Sequence, residues 1–196
     1  EQLAGEALIA APDQSRETTA GLYAQYTYKW GEKLTVMPGI RWDRSNRYGS
    51  FVTPRLHIKY SPSKIVTLRT SIGKGYRSPH ALAENVTLLA SGREIVIDPD
   101  LKQEEAWNMG ASLGFNIPLF GKNLELNAEY YYTDFKHQMI MNFDGAKGEH
   151  TLSFENLDGK SYSHTFQVDA TYALFSGMTT TAAFRLNDVK CTYDGV

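Results

Sequence analysis

The sequence is poor in most features that announce a function. One cysteine, Cys191, stands in 196 residues, so no internal disulfide framework can form, and no Cys/His cluster with metal-ligand spacing surrounds it. Lys and Arg number 20 against 22 Asp and Glu, a formal charge of -2. That balance leaves no basic stripe for phosphates and argues against nucleic acid as a partner. No apolar run approaches the roughly 20 residues that a membrane helix requires, so helical spanning is excluded. No glycine-flanked nucleophile elbow, phosphate loop or His-Glu-x-x-His helix occurs. Gly73-Lys74-Gly75 lacks the third glycine and the helix of a dinucleotide site and reads as a strand end entering a loop. Neither an enzyme nor a resident cofactor or metal is expected. The chain starts at Glu1 with neither Met nor signal peptide, which suggests a processed or excised piece. With 42% hydrophobic and 21% charged residues, averages alone describe an ordinary soluble domain.

What the sequence does have is period-two alternation, the mark of a strand with two unlike faces. Ala20, Leu22, Ala24, Tyr26, Tyr28 and Trp30 oppose Gly21, Tyr23, Gln25, Thr27 and Lys29. After a turn at Gly31-Glu32, Leu34, Val36, Pro38, Ile40 and Trp42 share one parity. A polar loop is expected over Arg44 to Ser50. Strands then follow over Thr53 to Tyr60 and Val66 to Gly73, joined by the Ser61 to Lys64 turn. An irregular stretch runs from Lys74 to Gln103, with a brief helix expected over Ser78 to Ala90 because Pro79 suits a first turn. Alternation returns in Trp107 to Phe115, in Leu124 to Tyr132, in Tyr162 to Leu174 and in Met178 to Leu186. A second long stretch covers Asp134 to Asp158. Its Phe135, His137, Met139, Met141 and Phe143 alternate as an extracellular extension of a hairpin would, or more simply as the strand continuing beyond the membrane.

The expected fold is therefore all-β, an antiparallel meander of about eight long strands in which short turns and long loops take turns. Soluble sandwiches have strands nearer 5 to 6 residues and connections of mixed length. Transmembrane barrels show this asymmetry, with short periplasmic turns and longer extracellular loops. One parity carries Arg41, Asp43, Arg55, His57, Lys59, Arg69, Glu125, Glu129 and Asp169, intolerable in a dry core unless paired and at home in a wet lumen. The solvated face of a soluble antiparallel sheet gives the same pattern strand by strand. Trp30, Trp42, Trp107, Tyr28, Tyr60, Tyr130 and Tyr132 lie near strand ends on the apolar parity, where interfacial girdles sit.

Two boxes carry a more specific signal. Thr70 to Pro79 ends in Tyr76-Arg77-Ser78-Pro79, and after a loop comes Pro99-Asp100-Leu101-Lys102-Gln103-Glu104. Together they resemble the barrel signature of TonB-dependent outer-membrane receptors, an aromatic-Arg-small-Pro box followed by a Pro-x-Leu-x-x-Glu box. Leu34 to Asp43, Tyr23 to Tyr28 and Tyr130 to Phe135 resemble neighbouring strands of that family, with the flavour of Bacteroides-like receptors. The resemblance implies a place in the Gram-negative outer membrane, within a barrel of about 22 strands whose lumen holds an N-terminal plug. It implies uptake of an iron-siderophore, haem, cobalamin or oligosaccharide cargo, powered by the TonB complex acting through the plug. Against that pattern, residues 1–196 supply a single partial barrel segment, with plug and C-terminal barrel strands absent. Open edges could pair with a second copy.

Candidate ligand contacts follow from the same placement. Arg77 carries a fork suited to carboxylates and phosphates, or else pins the long loop to the wall. Tyr76 stands beside it. His80, Glu84, Asn85 and Arg93 share the loop that the resemblance turns outward, where His80 could reach haem iron or remain simply solvated. Arg41, with Arg55, Lys59 and Arg69, forms a lumen-side basic set that could guide anionic chelates or pair with Asp43, Glu125 and Glu129. Two readings of another class stand beside transport by a receptor: a passive porin or structural surface barrel, and a soluble carbohydrate-binding β-sandwich.

Overall fold

The computed structural model describes residues 16–143 and 151–192. Its strands are β1 (Thr19–Gln25), β2 (Tyr28–Trp30), β3 (Leu34–Ser45), β4 (Gly49–Tyr60), β5 (Val66–Arg77), β6 (Glu94–Ile97), β7 (Glu104–Leu119), β8 (Lys122–Lys136), β9 (Met139–Phe143), β10 (Thr151–Asn156), β11 (Ser161–Phe175) and β12 (Met178–Cys191). The main sheet runs β1-β3-β4-β5-β7-β8-β11-β12, every pairing antiparallel, with β2 extending the β1 position along β3. Between β1 and β2 the ladder is bridged by the Tyr26 amide donating to the Pro38 carbonyl at 3.0 Å. Eight ladder positions result, the meander that the alternation predicts.

The turns show why the chain reverses where it does. Between β7 and β8 only Phe120 and Gly121 intervene, with φ of 48° and 75°. Both central residues left-handed is the geometry whose twist matches a two-residue hairpin, and glycine takes the second place without strain. On the opposite side, the expected polar loop from Arg44 to Ser50 shrinks to a three-residue turn, with Arg44, Ser45, Gly49 and Ser50 in strands. Only Asn46, Arg47 and Tyr48 separate β3 from β4. Ser45 Oγ accepts from the Arg47 and Tyr48 amides at 3.1 and 3.4 Å, so a serine turn replaces a loop there. The strict alternation of short and long connections therefore fails at this hairpin and holds for the two loops after β5 and β8.

Those two loops join into one body. Instead of one helix over Ser78 to Ala90, the first loop forms α1 (Ala81–Glu84) and a 3-10 helix, Val86–Ser91, broken at Asn85. Strand β6 then runs parallel to β10 of the second loop, which also pairs with β9. Phe135 to Phe143 is accordingly not one continuing strand, because His137 turns left-handed at φ 52° and sends β9 into this second sheet. Ala81, Leu152 and Phe154 are buried at its centre, with Leu88, Ile95, Ile97 and Met139 against them. This small cap is where the apolar core of the described residues lies.

Among the described residues the main sheet has no second layer, and the face that carries Leu22, Trp42, Leu68, Met109 and Phe184 is apolar and bare. Leu22 is 73% exposed, Phe184 62% and Leu186 57%. Such a surface is not stable against water and belongs to lipid. Its height fits. Tyr162 and Tyr172 mark the two ends of β11 on this face, ten positions apart, or about 33 Å along the strand and roughly 25 Å at barrel tilt, the height of an outer-membrane apolar band. At the cap end the belt turns polar. The Tyr130 hydroxyl shares a hydrogen bond of 2.7 Å with His164 Nδ1, and His164 packs on Tyr132 and edge-on against Tyr162. Ion pairs Lys74–Glu105 at 2.7 Å, Lys136–Asp134 at 3.1 Å and Lys190–Asp188 at 3.4 Å continue that boundary. Among the described residues no helix is long and apolar enough to cross a membrane.

Candidate functional site

The opposite face of the sheet is polar and concave, and its side chains lie along the wall wherever a glycine makes room. Gly21 pairs with Asp43 across β1 and β3, and a Cβ there would sit 2.0 Å from Asp43 Oδ1. The space lets Asp43, almost wholly buried, take Arg41 Nε at 2.7 Å and Nη2 at 2.7 Å on the same strand. Gly39 likewise seats Arg55, whose Nε would meet an added Cβ at 2.7 Å and whose guanidinium donates to Gln25 Oε1. Gly110 seats the Tyr131 ring, 2.4 Å from where a Cβ would stand. Covering a strand glycine with an aromatic side chain restores the packing the glycine lacks.

Between these seats the wall is hollowed. Thr35, Met37, His57, Lys59, Arg69, Ser71, Ser112, Glu129 and Tyr131 border an open concavity of about 680 Å³. A second hollow of about 570 Å³ lies nearer β1, bordered by Tyr23, Gln25, Arg41, Thr53 and Arg55. The basic set expected on this face thus divides. Arg41 is neutralised by Asp43 and Arg55 is tied to Gln25, whereas Lys59 and Arg69 stand directly opposite one another across β4 and β5. The pairings expected with Glu125 and Glu129 do not form.

The Tyr76 to Pro79 box lies where β5 leaves the wall. Arg77 reaches Glu104 at 3.1 Å on β7 and forms a second ion pair with Glu84 of α1. Both carboxylates hold the loop to the strand end, the pinning role open to Arg77 from the sequence. Tyr76 stacks against Phe51 at 4.7 Å and accepts Lys74 over its ring at 4.5 Å. Asn85 Nδ2 donates to the Ala81 carbonyl at 2.9 Å and closes α1. His80 is exposed at the start of α1 and its carbonyl accepts from the Glu84 amide. Arg93 lies 5.6 Å from the Phe143 ring, on the side of the cap where β9 ends. Tyr76, Arg77, His80, Glu84 and Asn85 are therefore neighbours at the cap's base, and Arg41 belongs to the wall.

Sequence reasoning missed Glu17. Its Oε1 accepts from Ser78 Oγ at 2.8 Å and Ser45 Oγ at 3.2 Å, tying the box to the β3–β4 turn. Gln103 Nε2 reaches the same Ser78 hydroxyl at 3.3 Å. The small residue of the box is thus a junction of three segments, a role its position beside Pro79 hints at. Nearby, burial pushes the Tyr48 hydroxyl above the usual tyrosine range, with Arg47 acting against it and Glu17 adding to it. Among the described residues no three or more His, Cys, Asp or Glu side chains are grouped to hold a metal ion.

The chain is similar to many solved structures, among them two iron-related proteins and a copper transporter. The FrpB iron transporter from Neisseria meningitidis (F3-3 variant) matches with a TM-score of 0.69 at 19% identity, over 89% of this chain and 26% of that one. The siderophore receptor PirA from Pseudomonas aeruginosa matches with 0.69 at 18%, over 88% of this chain and 32% of that one. The copper transporter OprC matches with 0.65 at 13%, over 87% and 29%. The chain thus spans about a quarter to a third of the length of these proteins. No curated protein sequence matches it. The family described as TonB dependent receptor-like, beta-barrel matches residues 3–195. With an apolar outer face, a polar hollowed inner face and the paired boxes at the strand ends, the chain belongs to the TonB-dependent receptor β-barrel family of the Gram-negative outer membrane.

Proposed function

We propose that this chain is one segment of the barrel wall of an outer-membrane active-transport receptor, continued by further barrel strands and a lumen-filling plug. The whole receptor binds a scarce nutrient chelate outside the cell and imports it with TonB-coupled energy. The observation that carries the reading is the cap. Two loops folded on a shared core stand over a wall whose other face is a wet, hollowed lumen. A passive pore has no use for a core-bearing cap at its mouth, whereas capture of a chelate needs a surface held in one shape. A soluble sandwich would lay a second sheet over the apolar face, and among the described residues none lies there.

The cargo class that the similar structures favour is iron, free or as a siderophore complex, since two of those described are an iron transporter and a siderophore receptor. Haem and cobalamin remain alternatives of the same mechanism. Within the chain, His80 and Arg93 are the residues proposed to meet cargo directly. Tyr76, Arg77, Glu84 and Asn85 shape the base beneath them, and Arg41 lines the passage.

Growth of a strain deleted for the parent receptor, on limiting ferric siderophore, haem or cobalamin, tests this. Loss of growth on one source, restored by the intact receptor and abolished again when the inner-membrane energy complex is removed, is the expected outcome. Normal growth on every limiting source would refute the transport reading.

A further inference from the structure

Of Arg41, Arg55, Lys59 and Arg69 on the inner face, the first two have side-chain partners inside the wall and, among the described residues, the last two do not. Lys59 on β4 and Arg69 on β5 are cross-strand partners in register, a like-charge pair. Directly opposed like charges destabilise a sheet unless something neutralises them. Their surroundings supply donors and no acceptor of charge. Thr35 stands opposite Lys59 on the β3 side, Ser112 opposite Arg69 on the β7 side, and Ser71 opposite His57 one step along. Among the described residues neither Lys59 nor Arg69 forms an ion pair. The one carboxylate bordering the same hollow, Glu129, lies a further strand away, opposite Ser112.

Both strands are already paired on each side, β4 with β3 and β5 with β7. No direct cross-strand neighbour of either residue is a carboxylate, and the face they share is open to a counter-charge from the lumen. A hollow of about 680 Å³ leaves space for it. A guanidinium fork and an ammonium side by side, edged by three hydroxyls, match a carboxylate or phosphate group. A concave wall focuses their field on whatever enters.

We infer that the Lys59–Arg69 pair, with His57, Ser71 and Thr35 around it, is an oxyanion-binding site on the lumen wall, near the end where the short turns lie. Its ligands are carboxylate- or phosphate-bearing groups. They reach it either on a diffusible solute or on an acidic side chain of polypeptide that fills the lumen. The site is separate from the cap and does not depend on which cargo the cap captures.

The test uses the complete receptor purified in detergent, with citrate as probe, measured by equilibrium dialysis. Wild type is compared with the Lys59→Gln/Arg69→Gln double variant, and Glu129→Gln serves as a control of fold and charge. Losing two charge-assisted contacts should weaken citrate binding at least about tenfold in the double variant, and Glu129→Gln should not weaken it. That result assigns a diffusible ligand. If wild type binds no citrate, the melting temperature decides. Relieving a like-charge pair should by itself raise it, so a fall of several degrees in the double variant alone means that a polypeptide carboxylate occupies the site. Citrate affinity equal in wild type and double variant overturns the inference, as does, without citrate binding, a melting temperature that does not fall.

Discussion

Replacing Phe154 by alanine should open both long loops, although Phe154 belongs to only one of them. Its side chain is 1% exposed and packs with Leu152, at 0%, and with Ala81 of the other loop. Phe-to-Ala changes in a core cost about 3–5 kcal/mol. With every 1.4 kcal/mol worth tenfold in an equilibrium, amide protection in the cap should fall by roughly a hundredfold to several thousandfold. Hydrogen exchange followed by mass spectrometry on the intact receptor reads this segment by segment. Exchange should rise together in Ala81 to Ile97 and in Met139 to Asn156, while the ladders β3 to β5 and β7 to β8 stay protected. Phe184→Ala, on the lipid side, should change neither loop. Faster exchange confined to Met139 to Asn156 would show that the loops do not share one core and would refute the reasoning.

Three further outcomes follow from the wall and its turns. Gly110→Ala should cost about 1–3 kcal/mol, since the Tyr131 ring occupies the place of its Cβ, and most of that cost should vanish in a Tyr131→Thr background when urea unfolding is compared in a double-mutant cycle. Gly21→Ala should push the Asp43 carboxylate off its seat and break the Arg41 pair, seen as a lower unfolding midpoint than for Gly75→Ala, whose Cβ would meet nothing. Tyr48 should ionise at a more alkaline pH than a free tyrosine, because burial opposes its phenolate. A folded value above the unfolded one means that its contribution to stability is complete below the unfolded value and is lost as the pH rises through the folded one, so a phenolate absorbance titration against Tyr48→Phe should show one late-titrating group.

The wall was legible from sequence because its signal is local. Every residue assigned to a face by parity, from Leu22 and Trp42 outside to Lys59 and Glu129 inside, obeys the two-residue repeat that the backbone enforces. The cap was not legible, since its decisive pairing joins Glu94 to Ile97 with Thr151 to Phe154, two runs too short to carry periodicity and far apart in the chain. The Arg44 to Ser50 segment misled because polar residues suggest a loop, while here Asp43 and Ser45 are buried and Arg44 simply points to the outer boundary. At the candidate site, the box and its neighbours could be located, but not what each holds. Arg77 takes two carboxylates and Ser78 binds Glu17 through contacts between residues up to 61 positions apart, which no motif encodes.

The parallel pairing of β6 with β10 has a consequence for how such receptors can be re-engineered. Each loop alone brings half of a core and one edge of a sheet, so a single loop moved into another barrel would arrive with Leu152 and Phe154, or Ala81 and Ile95, facing water. The two together form a transferable unit whose attachment points are the ends of β5, β7, β8 and β11. Natural variation of this mouth should obey the same rule, with lengthening tolerated at the tips and exchange occurring in matched pairs.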